Sequence, residues 1–427
     1  MSEKSTTTGL AEFLSHLGPG LTTGAADDDP SGISTYSVSG ASFGYAPLWT
    51  ALFSFPLMVA VQLMSARLGI ITGRGLAGNL RLHHPKWVLW GACILLLIAN
   101  TVNIGADLAG MAEATELITG VSSMVWTPVY TAVIVSLLVW SSYRRIARYF
   151  KWLTLVLFAY IGAAFLSHPD WKAIAISTLS PHVEWSSEYL SVLVGIFGTT
   201  ISPYLFFWQA SQEVEEERAL GRKTVPERRG ATPDELRDAR NDTITGMFFS
   251  NVIMFFIILT TAATLHGHGL THITTAREAA EALRPLAGAG AYALFTLGLI
   301  GTGMLSVPVL AGSSAYAISE AAKWPNSLEY RPRRARQFYY VIAVSMALGL
   351  ILDYTGFNAV TMLFGAAVVN GVLASPLILL VLLLTNNGKV MQRHTNPPFL
   401  RFLGLTAFLV MSFAAIAMMV LAAARKG

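Results

Sequence analysis

Residues 18–32 read GPGLTTGAADDDPSG, and this stretch decides how the rest of the chain is interpreted. Three consecutive carboxylates, Asp27, Asp28 and Asp29, stand directly before Pro30. Each ionised aspartate at the centre of a bilayer costs about 2.5–3.5 kcal/mol on insertion scales. Proline removes a backbone donor and glycine favours unwinding, so the pattern predicts a membrane helix interrupted at the aspartates. Such an interruption is tolerated in hydrocarbon only where it lines a polar cavity.

A second interrupted stretch is GIFGTTISPYLFFWQ, residues 195–209. Its proline, Pro203, lies five predicted spans after Pro30. Interrupted segments at matching positions in two halves are typical of inverted repeats of five helices, with the substrate site between the breaks. Backbone carbonyls freed at the breaks can coordinate cations, and aspartate supplies the charge. The alternative for the first stretch, a helix end in water, is weakened by the apolar sequence that resumes through Ala51–Ala66.

The composition is that of a membrane protein. Of the 427 residues, 53% are hydrophobic and 13% are charged, against about 25% charged in soluble domains. The mean hydropathy is +0.53. These values argue against a soluble enzyme, a disordered chain and a nucleic-acid binder. The single cysteine, Cys93, excludes a disulfide framework and a cysteine-based metal site.

The apolar runs predict an all-α polytopic protein with eleven transmembrane helices. A spanning helix needs about 20 apolar residues, and fewer where its ends are polar. The predicted spans are 13–40, 46–68, 87–113, 123–143, 150–167, 189–211, 240–266, 286–322, 335–353, 358–386 and 399–424. We interpret residues 1–427 as one transporter domain. It consists of an N-terminal tail (1–12), a first repeat (13–170), a second repeat (187–386) and a last helix (399–424). The polar N-terminus gives no indication of a cleavable signal.

The distribution of Lys and Arg predicts the orientation. With the N-terminus in the cytoplasm, only five of the 29 basic residues lie outside, and the others lie inside. The outside residues are Lys172, Arg277, Arg284, Arg425 and Lys426. This positive-inside pattern predicts a cytoplasmic N-terminus and an external C-terminus. It also explains the basic pI near 9.1 without a nucleic acid. Compactness and short loops favour a bacterial source, hence the inner membrane.

At these interruptions the sequence resembles the NRAMP family of divalent-metal transporters. The family's first-span signature, Asp-Pro-Gly-Asn after Gly-Pro-Gly, corresponds to Gly18–Gly20 followed by Asp29–Gly32. Further similarity lies at Arg67–Gly73, at Ala106–Ala109, and at Ser202–Tyr204, where the family has Met-Pro-His. The resemblance covers nearly the whole chain. It implies a LeuT-like fold with an inverted five-plus-five repeat, broken helices 1 and 6, and one extra helix.

The departures from the family pattern predict the substrate. The family's metal-binding Asp corresponds to Asp29, its Asn to Gly32 and its Met ligand to Ser202. A thioether suits soft transition metals, whereas oxygen ligands suit Mg²⁺, Ca²⁺ and Mn²⁺. Mg²⁺ dehydrates reluctantly and keeps several waters. A widened site without sulfur therefore implies import of Mg²⁺, with Mn²⁺ also accepted, as in the prokaryotic NRAMP-related magnesium transporters.

The residues that correspond to the family's proton pathway are also changed. Tyr204 replaces its His after the span-six Pro, and tyrosine does not titrate near neutral pH. Gly110 stands where the family has Glu, three residues after the retained Asp107. We therefore expect metal uptake that is driven by the membrane potential and is not proton-coupled, with residual coupling through Asp107 left open.

Further metal contacts are expected near the breaks. Asp27 and Asp28 each offer a second carboxylate, with a charge in the vestibule as the alternative role, and we favour Asp28 as the ligand. Thr199 and Thr200 offer carbonyls or hydroxyls, although helix capping is an equal alternative. Asn370 offers an amide, although bonding to a neighbouring helix is its alternative role. The predicted metal set is Asp28, Asp29, Gly32, Thr199, Thr200, Ser202, Tyr204 and Asn370.

Two polar clusters lie away from the breaks. Glu213 and Glu215–Glu217 follow span six, and we expect a solvated helix end there, with a cation exit funnel as the alternative. His266, His268 and His272 follow span seven, where metal capture is the alternative to a flexible glycine-rich loop.

Other functions remain as alternatives. A proton-coupled transition-metal transporter is disfavoured because this sequence has Ser202 and Tyr204 where such a transporter is expected to have Met and His. A carrier of organic carboxylates would disfavour three aspartates at its site. An intramembrane aspartyl protease needs two facing aspartates, and only Asp29 with Asp107 is available, neither in a Gly-x-Gly-Asp setting. The expectation is thus a monomeric transporter without enzymatic activity or cofactor, whose partners are a divalent ion and the lipid bilayer.

Overall fold

The computed structural model describes residues 18–141, 143, 145–146, 153 and 155–424, and within them the chain is helical with no β-strand. The main helices are α1 (Pro19–Asp27), α2 (Pro30–Phe43), α3 (Trp49–Thr72), α4 (Leu76–His83), α5 (Lys86–Thr119), α6 (Ser123–Trp140), α7 (Ala159–Leu166), α8 (Trp171–Leu179), α9 (Ser187–Thr200), α10 (Pro203–Ala219), α11 (Pro233–Thr264), α12 (Ala291–Ala322), α13 (Arg336–Asp353), α14 (Ala359–Thr385) and α15 (Pro398–Ala424). Short helical turns connect them at Ala46–Leu48, Leu155–Phe158, Val225–Arg228, His266–His268, Ala276–Ala280, Glu281–Leu283, Arg284–Ala287, Gly288–Gly290, Gly388–Met391 and Gln392–His394.

The first interruption lies at the aspartates. Helix α1 ends at Asp27, and Asp28 leaves the helical geometry with φ −82° and ψ 52°. Asp29 is extended, and its carboxylate accepts a hydrogen bond from the Gly32 amide, so it caps α2. Pro30 occupies the first helical position, where the missing N–H would have had no intrahelical partner anyway. The predicted span 13–40 is thus two helices, and its residues 13–17 lie outside the described residues.

The second interruption repeats the first residue by residue. Helix α9 ends at Thr200, and Ile201 departs from the helix with φ −122° and ψ 54°. Ser202 is extended and Pro203 opens α10. Ile201, Ser202 and Pro203 therefore have the same backbone roles as Asp28, Asp29 and Pro30.

The broken helices pack on unbroken helices, and three of the four pack on a helix of the other half of the chain. Helices α1 and α2 pack on α11, α10 packs on α3, and α9 packs mainly on α14 of its own half. Glycines allow the closest contact: a Cβ on Gly24 would lie 2.3 Å from the carbonyl oxygen of Gly246. A Cβ on Gly246 would in turn lie 2.1 Å from the carbonyl oxygen of Gly20. Small residues let membrane helices approach this closely.

A carboxylate of α11 fixes the start of α1. Asp242 is buried and accepts hydrogen bonds from the backbone amides of Gly18 (2.9 Å), Gly20 (2.6 Å) and Leu21 (3.1 Å). These are amides that an α-helix leaves without intrahelical partners, and a negative group there is also favoured by the helix dipole. Asp242 and the glycine contacts together attach α1 to α11.

Nine helical segments of the described residues are long and apolar enough to cross a membrane. The two other predicted spans are the broken pair α1/α2 and the shorter apolar segment Leu155–Leu166. The helices do not begin where the predicted spans begin: α11 begins at Pro233 with a polar extension before the span 240–266, and α12 begins at Ala291, after the short helical turns Arg284–Ala287 and Gly288–Gly290. The N-terminal tail, part of the predicted fifth span, and Arg425 and Lys426 lie outside the described residues.

Candidate metal site between the broken helices

Asp29 is the centre of the site. It is 2% exposed and stands between α1 and α2. Its Oδ1 accepts hydrogen bonds from the Ser31 hydroxyl and the Gly32 amide, both at 2.7 Å. Its Oδ2 accepts from the Asn103 amide at 2.9 Å and lies 3.4 Å from the Tyr204 hydroxyl. Because these groups donate to the carboxylate, they stabilise its anionic form and fix its orientation.

Asn103 of α5 connects Asp29 to two further polar side chains. Its Nδ2 also lies 3.4 Å from Oδ2 of Asp107, one turn along α5. Its Oδ1 accepts a hydrogen bond from Asn370 of α14 at 3.2 Å. Asp107 additionally accepts from Ser306 of α12 at 3.2 Å. A chain of buried polar groups thus runs from the first break through α5 to α12 and α14.

Asp27 and Asp28 face away from this chain, towards α11. Both approach the hydroxyl of Ser250, with Asp27 Oδ2 at 2.5 Å and Asp28 Oδ1 at 3.1 Å. Both are buried, and Oδ1 of Asp27 has no hydrogen-bond partner in the described part of the chain. The three consecutive aspartates are therefore divided between two faces of the break.

The predicted ligands of the second break are hydrogen-bonded locally. The Thr199 hydroxyl donates to Ile196 O or the Tyr36 hydroxyl, both at 3.0 Å. The Thr200 hydroxyl donates to Ile196 O at 2.9 Å. The Ser202 hydroxyl lies 2.7 Å from Gly198 O and 2.6 Å from Thr199 O. These hydroxyl protons are donated to carbonyls of α9 or, for Thr199, to Tyr36 of α2, so the oxygen lone pairs remain for an ion.

Tyr204 is the residue of the second break that reaches the first. Its hydroxyl lies 2.9 Å from the carbonyl oxygen of Ala26 and 3.4 Å from Oδ2 of Asp29. A single hydroxyl proton can serve one of these acceptors at a time. Tyr204 therefore joins α10 to the end of α1 as well as to the central carboxylate.

The electrostatics of the site favour a cation. Asp27, Asp28, Asp29 and Asp107 are at most 2% exposed, and no ion pair between one of them and a basic side chain is found among the described residues. The negative C-terminal ends of α1 and α9 and the positive N-terminal ends of α2 and α10 meet at the two breaks, so the excess negative charge of the site comes from the carboxylates. No cluster of three or more His, Cys, Asp or Glu in the described ranges is arranged to hold a metal. An ion bound at Asp29 would therefore take its other ligands from neutral oxygens.

The site is closed in this conformation, but a cavity approaches it. A cavity of about 640 Å³ contains Glu113 and Glu116 of α5 and Asp353 of α13 in its walls. A much smaller void also touches Glu113 and reaches Gly110 and Ser34. Gly110 lies one turn from Asp107, so α5 extends from the cavity to the site.

The glutamates after the second break do not form the expected solvated helix end. Glu213, Glu215 and Glu217 are 4–7% exposed. Glu213 accepts from Gln209, Glu215 accepts from Ser327 and forms an ion pair with Arg218, and Glu217 forms an ion pair with Arg222. The helix end is covered by the following loops, which the pattern of α10 alone does not reveal.

The histidines of the outer loop do not converge either. Nδ1 of His266 lies 2.7 Å from Ala41 O, and Nδ1 of His268 lies 2.5 Å from Thr264 O. These two rings are thus hydrogen-bonded to separate backbone positions.

The sequence interpretation missed Asn103, Ser250, Ser306 and Tyr36. One signal was available for Asn103, because it lies four residues before Asp107 and hence on the same helix face. Ser250 and Ser306 come from helices whose rotation about their axes is set by packing, and the sequence offers no comparable signal for them.

A sequence model described as Natural resistance-associated macrophage protein-like matches residues 20–421. The divalent metal cation transporter MntH of Aeromonas hydrophila subsp. hydrophila is 25% identical over 397 residues, which cover 92% of this chain and 92% of that protein. The crystal structure of the Eremococcus coleocola manganese transporter has a TM-score of 0.72 at 20% identity, covering 97% of this chain and 88% of that one. MhsT in complex with L-phenylalanine has a TM-score of 0.63 at 12% identity, covering 95% and 98% of the two chains.

The structural likenesses confirm the predicted LeuT-like fold class, while the number of spanning helices stays a prediction. The match over nearly the whole chain confirms the family resemblance drawn from the two broken segments. The chain belongs to the NRAMP family, and it is a membrane transporter and not an enzyme.

Proposed function

We propose that this protein imports Mg²⁺, and also Mn²⁺, across the bacterial inner membrane by alternating access. The observation that carries the proposal is the buried Asp29 carboxylate, held at the first helix break by oxygen- and nitrogen-bearing groups. The relatives named above are a divalent metal cation transporter and a manganese transporter, which supports a divalent ion as substrate. Ser202 stands where the family has a sulfur ligand, which supports a hard ion.

The surroundings of Asp29 suit an ion that keeps part of its water shell. Ser31, Asn103 and Tyr204 already satisfy much of the hydrogen-bonding capacity of the carboxylate. Mg²⁺ usually keeps several waters and binds through one or two carboxylates. Gly32 adds space, because it has no side chain at the position where the family has Asn. We propose Thr199, Thr200 and Asn370 as contacts of the ion or of its waters. Asp28, whose carboxylate faces Ser250, would act in this conformation as a nearby negative charge that attracts the ion.

Transport without proton coupling is supported by the residues near Asp107. A Cβ on Gly110 would lie 2.9 Å from Cδ1 of Leu363, so an apolar side chain occupies the direction of the family's Glu. The described histidines lie in loops, in short helices or at the outer end of α11. A divalent ion that crosses 100 mV gains about 4.6 kcal/mol, twice the single-charge value, which is sufficient without a proton.

We propose that ions enter through the cavity that contains Glu113 and Glu116, with the N-terminus inside the cell and the C-terminus outside.

The double variant E113Q/E116Q should raise the KM for Mg²⁺ several-fold at low salt and leave the maximal rate unchanged. The reason is that acidic walls concentrate cations, and salt screens this effect. Uptake measured at low and high NaCl would check it, with E184Q on the outer loop as control. A KM that stays unchanged in low salt would contradict this route.

The selectivity between soft and hard metal ions should depend on the residue at position 202. In the variant S202M, uptake of Cd²⁺ relative to Mg²⁺ should rise by about tenfold, which corresponds to about 1.4 kcal/mol. The physical reason is that a thioether prefers soft metals and takes up space needed by bound water. Competitive uptake of the two ions into vesicles measures the ratio, and S202A serves as the control that removes the hydroxyl without adding sulfur. A ratio that is equal in S202M and S202A would speak against a role of this position.

A proton-coupled transition-metal transporter is the second candidate. One observation favours it: Asp107 is fully buried, connects to Asp29 through Asn103, and has an Oδ1 without a hydrogen-bond partner among the described residues. Uptake of Mg²⁺ and Mn²⁺ recorded together with the internal pH separates the two candidates. We further propose that the protein works as a monomer and that residues 13–170 and 187–386 form its two repeats.

A further inference from the structure

A second cavity lies at the end of the molecule that our orientation places in the cytoplasm. It has a volume of about 420 Å³ and lies between the end of α3, helix α4, helix α10 and the loop after α12. Pockets for small ligands typically measure about 300–1,000 Å³. Six basic side chains contribute to its walls: Arg74, Arg81, Arg218, Arg228, Lys323 and Arg334.

The acidic groups nearby do not balance this charge. Glu320 is the one carboxylate in the walls, and its oxygens accept from the backbone amides of Gly75 (2.9 Å) and Gly78 (2.8 Å) at the start of α4. Glu215 pairs with Arg218 at 2.6 Å. With these two glutamates set against the six basic residues, the cavity keeps an excess of positive charge.

Three of the basic groups are available to a ligand. The side chains of Arg74 and Lys323 make no hydrogen bond or ion pair with the described residues. The guanidinium of Arg334 lies 3.9 Å from the ring centre of Tyr330 and likewise has no acidic partner in the described ranges. These three groups come from two separate segments of the chain, so the cavity brings them together through the fold.

The cations in the cavity repel one another. Burial lowers the pKa of Arg81, and the nearby charge of Arg74 lowers it further. Burial also lowers the pKa of Arg228, with Arg218 acting in the same direction. The positive-inside rule explains why basic residues are on this side, but not why they converge on one cavity. An anion in the cavity would relieve this repulsion.

We propose that this cavity binds a phosphate-bearing anion, either a soluble phosphate compound or the head group of an anionic lipid. Arginine offers planar, bidentate donors that fit phosphate oxygens, and lysine binds them as a point charge. The aromatic side chains of Trp324 and Tyr330 also line this cavity. The site joins α3 and α4 to α10 and the end of α12, so a bound anion bridges segments from both halves of the chain.

The test uses the full-length protein in two parallel experiments. Calorimetry with pyrophosphate and with ATP probes a soluble anion. Native mass spectrometry after reconstitution in phosphatidylglycerol or phosphatidylcholine nanodiscs probes a lipid. The variant R74Q/K323Q/R334Q removes the three available charges. The control R331Q/R333Q/K389Q removes three exposed charges that do not line the cavity, so both proteins have the same net charge.

We expect the cavity variant to lose at least tenfold in affinity for the soluble anions, or most of its retained phosphatidylglycerol, while the control behaves as the wild type. Loss with the soluble probes identifies a soluble ligand, and loss with phosphatidylglycerol alone identifies a lipid. The proposal is overturned if the two variants behave alike with every probe. If the triple variant does not fold, R74Q with R333Q as its control gives the same comparison. The result is independent of which metal is transported.

Discussion

The variant D29N should abolish uptake of Mg²⁺ and Mn²⁺, with a loss of at least about 100-fold, or about 2.7 kcal/mol. The change removes the charge that attracts the ion and puts an amide NH2 group where Oδ2 accepts from Asn103, but asparagine is also a good N-cap and its oxygen can still accept from Ser31 and the Gly32 amide. Helix α2 should therefore keep its start. Uptake into proteoliposomes with an internal Mg²⁺ indicator measures the effect.

A matched control exists outside the membrane core. Asp170 caps α8 and accepts from the amides of Lys172 and Ala173, so D170N makes the same substitution at another helix start. We expect D170N to transport like the wild type. Uptake by D29N within about twofold of the D170N rate would show that Asp29 does not bind the ion, provided that both proteins are inserted equally.

The second large effect concerns stability. The variant G246A should destabilise the protein by about 1–3 kcal/mol, because its methyl group would lie 2.1 Å from the backbone carbonyl oxygen of Gly20, which cannot move away without shifting α1. The contrast is G91A on α5, where nothing lies within 4 Å of an added Cβ. Inside a helix, glycine is about 0.8–1.0 kcal/mol less stabilising than alanine, so the substitution G91A should stabilise the protein.

Thermal melting of the purified protein in one detergent separates the two variants. The expected result is a lower Tm for G246A and an unchanged or higher Tm for G91A. Equal melting of both variants would mean that α1 does not pack on α11 as closely as the structure has it. The transport rate of G246A should also fall, because a shift of α1 would move the break that positions Asp29.

The breaks were predictable from the sequence because proline, glycine and consecutive charges act locally. Pro30 and Pro203 open their helices as their fixed φ favours, and the aspartates stand where hydrocarbon would exclude them. The assignment of roles to neighbouring residues was less complete. Asp29 accepts from Asn103, whereas its neighbour Asp28 faces Ser250. This difference between adjacent residues depends on the backbone turn at the break.

The partners of Asp29 depend on how whole helices pack, which the sequence of each helix does not encode separately. Asn103 reaches Asp29 because α5 crosses the broken helix, and Asn370 reaches Asn103 because α14 packs on α5. The predicted alternative for Asn370, a hydrogen bond to a neighbouring helix, is present in the structure. The burial of Glu215 likewise arises from a distant loop, through Ser327. Such long-range contacts limit what a single sequence predicts.

The most direct test of the central claim is uptake into proteoliposomes that contain a Mg²⁺ indicator and a pH dye, with the potential set by K⁺. The account predicts Mg²⁺ uptake that follows the potential, leaves the internal pH unchanged and is lost in D29A. Absence of Mg²⁺ uptake, together with Mn²⁺ uptake that acidifies the interior, would contradict it. That result would identify a proton-coupled member of the family, with Asp107 as the residue to examine for the proton.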